Sequence, residues 1–445
     1  MSTSDAVRTP GADAPLTLTE APPPSLGLRD SLGLWGNLGI SLLLPVAAVF
    51  VVLPGRPLGV TIAAIVVGAV IGSVLLGLVA AAGARERVPG MVLLRGLLGR
   101  RTSWVPTAFN LVQCIGWATF EIVIIAEAAS RVLDAPRWPF VLAAGVLATA
   151  MALRPLGVVR VLARYAVWAA LLAVGYLYVQ VLAEPLPPLE DGGATSFWAA
   201  ADIVIALPVS WLPLAADYTR HVRSGRAAFT GAAVGYGLAT VAMFVLGVLA
   251  LAAYGSAGLD VIDALLVVPL GAVAVLVLVS VELDEAFANV YSTAVSAQNV
   301  VARLDRRVLA VAVGALATLL ALTFDIAAYE PFLFLIGAVF VPLAGVLIVA
   351  YWLTPRGGWN SSDAAPARPV FLLPWIAGFL AYQLTLPTFF PGPGSGWTAW
   401  WGARQADLGI DPGNGWSASL VGLAVAVVLT LPVALAGRRS ERAGR

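Results

Sequence analysis

Two regions of this sequence place ionisable side chains inside apolar stretches, where they could bind a small ligand. In the first, NLVQCIGWATFEIVIIAEAA, Glu121 follows Trp117 by four residues. That spacing puts the indole ring and the carboxyl group on one face of a helix, so the ring could stack on a flat solute beside a hydrogen-bonding acid. A charged residue in an apolar span costs roughly 2.5–3.5 kcal/mol on insertion scales, which makes it a functional candidate. The alternative for Glu121 is a structural contact with another helix.

The second region is SVELDEAFANVYSTAVSAQN, which contains Asp284 and Asn289 together with Glu282 and Glu285. Ser280 and Asp284 share a helical face at four-residue spacing. Oxygen ligands of this kind suit a hard cation, or a proton held by a buried acid. The alternative is that the cluster lies near a helix end and is solvated. Asp284 is the preferred functional residue, ahead of its two glutamate neighbours.

Other chemistry finds little support. No cluster of cysteine, histidine and carboxylate residues has metal-ligand spacing, and no phosphate-binding loop is present, so an ATP-driven pump is not indicated. Asp217 and Arg220 are predicted to fix the end of their span by local hydrogen bonds, and His221, the only histidine, is predicted to be solvated. Cys114 is the single cysteine, which excludes an intrachain disulfide. The net charge of +1 suggests no bulk attraction to nucleic acid.

These residues must be positioned by membrane-spanning helices. The 445 residues are 60% hydrophobic and 11% charged, with a mean hydropathy of +0.90. Apolar runs of membrane-spanning length recur throughout, which predicts an all-α polytopic membrane protein with about twelve transmembrane helices. The stretch 264–301 is too long for one simple crossing and is expected to bend or to extend out of the membrane. The predicted spans are 32–53, 57–82, 105–131, 138–153, 157–182, 199–222, 229–253, 264–301, 308–323, 332–353, 369–387 and 417–437.

Two of these spans contain helix-breaking residues. In the sixth, Pro208 and Pro213 flank Ser210 and Trp211, and the first carries three glycines and Pro45. Proline removes a backbone donor, and in lipid the freed carbonyl groups need a partner inside the protein. A pair of interrupted helices in matching halves points to the central binding site of a transporter. Helices one to five and six to ten are therefore predicted to form two inverted repeats, with two helices appended.

Arginine residues concentrate in alternate loops, and the intervening loops are acidic or mixed. The positive-inside rule then places both termini in the cytoplasm of a multi-pass cell-membrane protein, with membrane lipids as its surroundings. A long outer loop is expected at 388–416. The predicted divisions are a disordered cytoplasmic tail at 1–28, a first repeat at 29–182, a second repeat at 197–353, the appended helices at 369–437 and a basic cytoplasmic tail at 438–445.

Four blocks of the sequence resemble the nucleobase–cation symporter family, the cytosine and allantoin permeases. They are LWGNLGISLLLPVAA, QCIGWATFE, LPVSWLPLAADYTRH and DEAFANVYSTAVSAQN, and the resemblance spans nearly the whole ordered chain. Their order and spacing are more specific than any one block. The PVSWLPLAADYTR version looks most like the branch assigned to hydroxymethylpyrimidine, a thiamine precursor.

The resemblance implies a LeuT-type five-plus-five inverted repeat with discontinuous helices one and six. The substrate would lie at midplane between helices one, three, six and eight. Trp117 matches the family's stacking tryptophan, Glu121 falls where some members carry a glutamine that bonds the base, and Asn289 matches a helix-eight asparagine that faces the substrate.

The two breaks would add substrate contacts at Leu42 and Ser210. Counting back from Asp217, the helix-six aromatic position of the family falls on Pro208. Trp211, three residues later, would fill that role if the break shifts the register.

For the coupling cation, sodium-coupled members use helix-one carbonyl groups, which are those of Leu38 and Ser41 in this sequence. The helix-eight positions correspond to Ser280, Leu283 and Asp284, so an apolar residue and an acid replace a pair of hydroxyl residues. That departure favours proton coupling over sodium. No cofactor is expected, and sodium is the only bound ion that the resemblance suggests.

The sequence therefore predicts a secondary active importer of a small planar nitrogen heterocycle, such as cytosine or hydroxymethylpyrimidine, coupled to a sodium or proton gradient. Few charges are expected around the pocket, which would favour neutral solutes. A purine or allantoin permease is the alternative within this class. A membrane-embedded enzyme acting on a lipid is less favoured because the polar residues are sparse and lie mid-span, and a channel is less favoured because no ring of charges recurs.

Overall fold

The described secondary structure is helical, apart from one isolated bridge between Leu26 and Val222. The computed structural model describes residues 24–155, 165, 167–255, 260–355, 358–389, 394–411 and 415–443. Its helices are α1 (Leu28–Leu38), α2 (Leu43–Val46), α3 (Ala48–Val51), α4 (Leu58–Glu86), α5 (Gly90–Leu93), α6 (Arg95–Leu98), α7 (Trp104–Leu133), α8 (Arg137–Leu153), α9 (Val167–Val181), α10 (Phe197–Ser210), α11 (Leu212–Thr219), α12 (Gly225–Thr230), α13 (Gly237–Tyr254), α14 (Val261–Val267), α15 (Gly271–Ala297), α16 (Arg306–Ala321), α17 (Tyr329–Leu353), α18 (Leu372–Thr385), α19 (Ser395–Asp407) and α20 (Ala418–Ala443).

Each of the twelve predicted spans overlaps one to three consecutive helical segments, and residues 157–164 and 166 of the fifth span lie outside the described residues. Six segments are long and apolar enough to cross a membrane: Leu58–Glu86, Trp104–Leu133, Phe197–Thr219, Gly225–Tyr254, Tyr329–Leu353 and Ala418–Ala436. Three shorter helices, α8, α9 and the segment containing α18, are also apolar. Of the remaining three spans, the first is interrupted, α15 carries three acidic residues and α16 has 16 residues.

Two expectations about boundaries need correction, and one is confirmed. The long stretch at 264–301 is interrupted, as expected from its length: it is two helices, α14 and α15, separated at Leu270, which has a positive φ of 54°. The predicted outer loop at 388–416 contains the helix α19. Residues 1–23 of the predicted tail lie outside the described residues, while Leu26 is ordered against the turn after α11 and α20 continues into the predicted C-terminal tail.

The loops gather at two opposite ends of the bundle, as an alternating topology requires. One end, which we name the arginine-rich end, holds residues 24–26, 86–104, 220–224, 298–306 and 351–368. Its hydrogen bonds join Tyr351 to Glu86, Arg95 to Asn299, Arg368 to Leu98 and Leu26 to His221. The other end is held together by hydrogen bonds that join Gly193 to Val49, Gly55 to Leu189, Arg131 to Asp263 and Arg137 to Phe324.

Helix packing has an internal symmetry that relates each span to the one five positions later. Span one packs on span seven as span six packs on span two. Spans three and four pack together as spans eight and nine do, and the pair three–nine matches the pair eight–four. The pairs five–eight and ten–three correspond in the same way. This exchange of packing partners is the arrangement that two five-helix repeats produce.

The break in span one comprises residues 39–42, between α1 and α2. A proline ring clashes with the carbonyl group four residues earlier, and Pro45 places that clash at Ser41. A Cβ atom at Gly39 would lie 2.7 Å from the Cβ of Ala239 in α13, so only glycine allows the two helices to approach there. Sequence and packing therefore agree on where this helix must be interrupted.

The break in span six is a single turn residue, Trp211, between α10 and α11. Because Pro213 has no N–H and Leu214 donates instead to the Trp211 carbonyl, the carbonyl group of Ser210 is released from the helical ladder. The side-chain amide of Gln113 in α7 donates to that carbonyl at 2.8 Å. The backbone acceptor freed by the break thus finds a partner inside the protein, as an apolar environment demands.

Span seven contains a π-helical turn, Gly231–Tyr236, which packs against α1. Turns of this type insert an extra residue into a helix and occur often at functional sites. Here the turn brings the Tyr236 ring to within 6.2 Å of the Trp35 ring, measured between centroids.

At the arginine-rich end, residues 358–368 are fastened over the short helices α5 and α6. The Trp359 indole N–H donates to the Leu93 carbonyl at 3.0 Å, and Arg95 forms a 2.8 Å ion pair with Asp363. A Cβ atom at Gly96 would lie 2.2 Å from the Trp359 ring, so the contact is close. Residues 358–368 therefore tie the helices appended at the C-terminus to the body of the molecule.

Asp202, a buried acid in α10, has a structural partner. Its carboxylate accepts hydrogen bonds from the Ser417 hydroxyl at 2.5 Å and from the Ala418 N–H at 2.7 Å. These donors lie at the N-terminus of α20, where backbone N–H groups lack helical partners and an acid is favourable. Asp202 therefore caps the last span and joins it to span six.

Candidate functional site

A small cavity lies beside the break in span six, among side chains from spans one, three, six, seven and eight. Its volume of about 10 Å³ is room for about one water molecule, so a heterocycle can enter only if the surrounding spans move apart. Four of the six substrate residues expected from the sequence line it. Its aromatic and polar lining consists of Trp117, Ser210, Trp211, Tyr236, Glu285 and Asn289.

Aromatic rings form two walls of this cavity. On one side Trp117 meets Phe332 at 5.3 Å and Tyr329 at 5.8 Å, both edge-to-face. On the other side the Trp211 ring lies 6.1 Å from that of Tyr236. The Trp117 indole N–H has no hydrogen-bond acceptor among the described residues, although the side chain is only 6% exposed. The walls therefore offer flat apolar faces and one unused donor.

Polar groups around the cavity are held in place by backbone acceptors. The Ser210 hydroxyl donates to the Leu207 carbonyl at 2.7 Å, and the Asn289 amide donates to the Glu285 carbonyl at 3.1 Å. Gln113 is fixed by its bond to Ser210, described above, and its Oε1 atom accepts nothing within the described part of the chain. What remains for a ligand is mainly acceptor capacity.

Glu121 is fully buried, and its carboxyl group lies beside those of Glu282 and Glu285. It is not part of the cavity lining described above, which Glu285 supplies instead. Neither Glu121 oxygen receives a hydrogen bond from an N–H or hydroxyl group of the described residues. Glu121 therefore lies near the cavity, as expected from the sequence, but the acid that lines the cavity is Glu285 of span eight.

The break in span one faces Glu282. The Leu42 N–H donates to one carboxyl oxygen at 2.5 Å, and the Ser41 hydroxyl donates to the other at 2.8 Å. Leu42 was expected at the substrate, but its backbone donor is engaged by this acid. An N–H freed by the break thus finds its partner 240 residues further along the chain.

The residues expected to bind the coupling cation are only partly brought together. Leu38 ends α1, Ser41 lies in the break, and Asp284 accepts a hydrogen bond from the side-chain amide of Asn37 in α1. Ser280 does not join them, because it is exposed on another face of α15 and its hydroxyl bonds to its own helix. Leu283 is only half-buried. The register of α15 presents Glu282, rather than Ser280, to the break.

The surroundings of the cavity are strongly acidic, which corrects the expectation of few charges. Glu121, Glu282, Asp284 and Glu285, which we name the acidic group, are each at most 3% exposed. None of them forms an ion pair with a basic side chain in the part of the chain that the structure describes. Within the described part of the chain, no three histidine, cysteine or acidic side chains are arranged so that they could hold a metal ion.

At the end of span six, Asp217 and Arg220 form the expected local hydrogen bonds, but His221 is not solvated as expected. Asp217 accepts a hydrogen bond from the Gly90 N–H at 2.9 Å, and Arg220 donates to the Asp217 carbonyl and to the Tyr291 hydroxyl. His221 was expected to be solvated, but it is buried, because the chain at Leu26 folds across its backbone.

Four residues of the site were missed or underrated in the sequence. Glu282 and Glu285 were visible in the acidic run, but only the register of α15 shows that they face inwards. Tyr236 gave no sequence signal beyond its place among glycines, because it reaches the site through the π-helical turn. Gln113 could have been found, since it precedes Trp117 by four residues on the same helical face.

A polytopic helical bundle with a buried cavity beside an interrupted helix, and a second interrupted helix held by an acid next to it, defines a membrane transporter. The model of the permease family for cytosine and purines, uracil, thiamine and allantoin matches residues 34–368. The chain belongs to this family. Its family and its structural relatives are transporters, not enzymes.

Solved structures of transporters share the fold over almost the whole chain. Mhp1, a nucleobase-cation-symport-1 family transporter in a closed conformation with bromovinylhydantoin bound, has a TM-score of 0.72 and 16% identity, covering 96% of this chain and 95% of its own. A manganese transporter from Eremococcus coleocola has a TM-score of 0.60 and 12% identity, covering 95% and 98%. A Na⁺-coupled sialic acid symporter has a TM-score of 0.58 and 10% identity, covering 92% and 89%. No curated protein matches the sequence.

Proposed function

We propose that this protein imports a small planar nitrogen heterocycle, a pyrimidine such as cytosine or hydroxymethylpyrimidine, by coupling to a sodium or proton gradient. The observation that carries the proposal is the cavity beside the break in span six, where side chains from five spans meet. Flat aromatic walls suit a planar ring, because stacking on a π-system tolerates different ring substituents. Permeases of this family act on cytosine, uracil and purines, among other substrates.

The cavity residues take distinct roles in this proposal. Trp117 and Trp211 stack on the heterocycle, while Asn289 accepts hydrogen bonds from its ring edge. Ser210 positions the break. Glu121 supports the acidic side of the site from the next helical turn beyond Trp117. Because these groups come from different spans, relative movement of the spans would assemble and open the site, as alternating access requires.

Coupling would act through the break in span one. Ser41 and the nearby carbonyl of Leu38 lie where a cation can approach the acidic group, and Asp284 reaches the same helix through Asn37. A cation or proton bound there changes the charge that holds the break. Both sodium and proton coupling fit this geometry, with the acids favouring a proton.

We also propose the boundaries of the repeats as 29–182 and 197–353, supported by the symmetric packing of the spans. Spans eleven and twelve, at 369–437, are additions to this core. The arginine-rich end would face the cytoplasm, because basic loops remain on that side of the membrane. Both termini would then be cytoplasmic.

The deciding experiment is uptake of labelled cytosine and of labelled hydroxymethylpyrimidine into proteoliposomes, with a sodium gradient, a pH gradient or neither. Accumulation driven by one gradient identifies the ion, and competition by adenine and allantoin tests the alternative substrates. If the protein accumulates none of these heterocycles under any gradient, while a reference transporter reconstituted in the same way does, the proposal fails.

A further inference from the structure

The acidic group contains more buried carboxyl groups than the fold pairs with other side chains. Four buried carboxyl groups lie together at the centre of the bundle, and the described residues pair none of them with a basic side chain. Negative charges that lie side by side repel each other strongly in a low-dielectric interior. A positive charge among them would relieve that repulsion.

Two of the four acids have evident structural partners. Glu282 is bonded to the break in span one, and Asp284 is bonded to Asn37. Glu121 and Glu285 differ, since both oxygens of Glu121 and the Oε1 atom of Glu285 accept no hydrogen bond from an N–H or hydroxyl group of the described chain. Of these two, Glu285 lines the cavity, and its carboxyl group is hydrogen-bonded only to that of Glu121 among the described residues. A ligand with N–H donors would replace this contact between two acids.

A second feature, independent of the acids, also selects for positive charge. Trp117, Trp211 and Tyr236 bound the same cavity, and the faces of such rings attract cations. An aromatic enclosure with a carboxylate at one side is the recognition pattern for organic cations. The Trp117 indole N–H, buried and without an acceptor, adds a donor for a ring nitrogen or substituent on the far side of the ligand.

The hydrogen-bonding capacity of the cavity agrees with this reading. The donors of Ser210 and Asn289 are used on backbone carbonyl groups. Acceptors without an N–H or hydroxyl donor among the described residues remain on Glu285, which lines the cavity, and on Gln113, which lies next to the Ser210 carbonyl. A neutral oxo-heterocycle brings acceptors of its own and would leave this capacity unmatched, whereas an amidinium edge brings two adjacent N–H donors that fit one carboxylate.

We infer that the site binds its heterocycle as a cation, an aminated heteroaromatic ring of the amidinium type held by Glu285 inside the aromatic enclosure of Trp117, Trp211 and Tyr236. This inference rests on the proposed function and narrows its substrate class. The charge of the ligand is neutralised by Glu285, and the remaining members of the acidic group stabilise it at longer range. Selectivity then arises from charge as well as from shape.

The test compares three probes of similar size on the purified full-length protein in neutral buffer. They are 2-aminoimidazole, a cation in this buffer whose amino group lies beside a ring N–H, 4-aminopyrimidine, which is neutral in this buffer, and 1-methylpyrimidin-4-one, a neutral oxo analogue. We expect the cation to bind about ten-fold to 100-fold more tightly than either neutral probe, the range for hydrogen bonds to charged groups. Glu285→Gln should remove most of that preference.

Glu127→Gln is the matched control, because it removes an acid from the same helix as Trp117 at a half-buried ion pair with Arg131, away from the cavity lining. It should keep the native order of affinities. Equal or tighter binding of the neutral probes to the native protein overturns the inference while leaving heterocycle transport intact. Since this comparison needs no variant, it decides the matter even if Glu285→Gln does not fold. Failure to bind any of the three probes also overturns the inference, whereas only failure to take up any heterocycle refutes the proposed function.

Discussion

The hydrogen bonds between Glu282 and the break in span one should contribute measurably to the stability of the folded protein. The carboxylate accepts from the Ser41 hydroxyl at 2.8 Å and from the Leu42 N–H at 2.5 Å. A hydrogen bond to a charged group contributes about 1.5–3 kcal/mol, so two of them account for about 3–6 kcal/mol. Glu282→Ala would also relieve repulsion with Glu121, so the single variant understates the value of the bonds.

A double-mutant cycle with Ser41→Ala separates these effects. The hydroxyl of Ser41 also accepts a hydrogen bond from the Leu43 N–H, and this contribution cancels in the cycle because it is lost in both arms. The coupling energy between Ser41→Ala and Glu282→Ala should be about 1.5–3 kcal/mol, the value of the one bond they share.

The measurement is the free energy of unfolding of the four proteins in lipid bicelles, obtained by steric trapping. Glu127→Ala serves as a control, since a helical i,i+4 ion pair such as Glu127–Arg131 contributes only about 0.3–0.5 kcal/mol. A coupling energy below about 0.5 kcal/mol, with all four proteins folded, would show that Glu282 does not hold the break and would refute the reasoning.

Three further changes test other parts of the structure. Trp117→Ala should weaken heterocycle binding by about 1–3 kcal/mol while Trp117→Phe retains part of it, as measured by equilibrium binding, and unchanged affinity would remove the ring from the site. Asp284→Asn should abolish gradient-driven accumulation in proteoliposomes but leave exchange, and a variant that still concentrates substrate would exclude this acid from coupling. Gly96→Ala should lower the free energy of unfolding by about 1–3 kcal/mol, because its methyl group would meet the Trp359 ring at 2.2 Å, whereas Gly402→Ala, with nothing within 4 Å, should not.

The fold was predictable because the lipid environment imposes strong rules on a sequence. Apolar run length located the spans, and prolines and glycines located both breaks. The spacing of apolar residues could not show where helices begin and end within or after long apolar stretches. The break at Leu270 depends on a left-handed backbone residue that is not glycine, and the helix α19 lies in a Pro- and Gly-rich segment that resembles a loop.

The site was predictable where a residue's role follows from its helix face. Trp117, Trp211 and Asn289 line the cavity as their positions suggested. Glu282 and Ser280 were harder, because two residues of register on α15 decide which one reaches span one. Tyr236 depends on a local π-helical turn, which shifts the face of span seven and leaves no periodic signature.

The bond between Leu42 and Glu282 also constrains the order in which the protein can be completed. The two residues are 240 positions apart, so at about 5–20 residues per second the partner of the Leu42 N–H is synthesised roughly 12–48 s later. During that interval the N–H cannot rest against lipid without a hydrogen-bond acceptor. The first span must therefore stay beside water or the insertion machinery while seven more are made. Its unwound segment is thus among the last parts of the nascent chain to settle, although it is among the first to be translated.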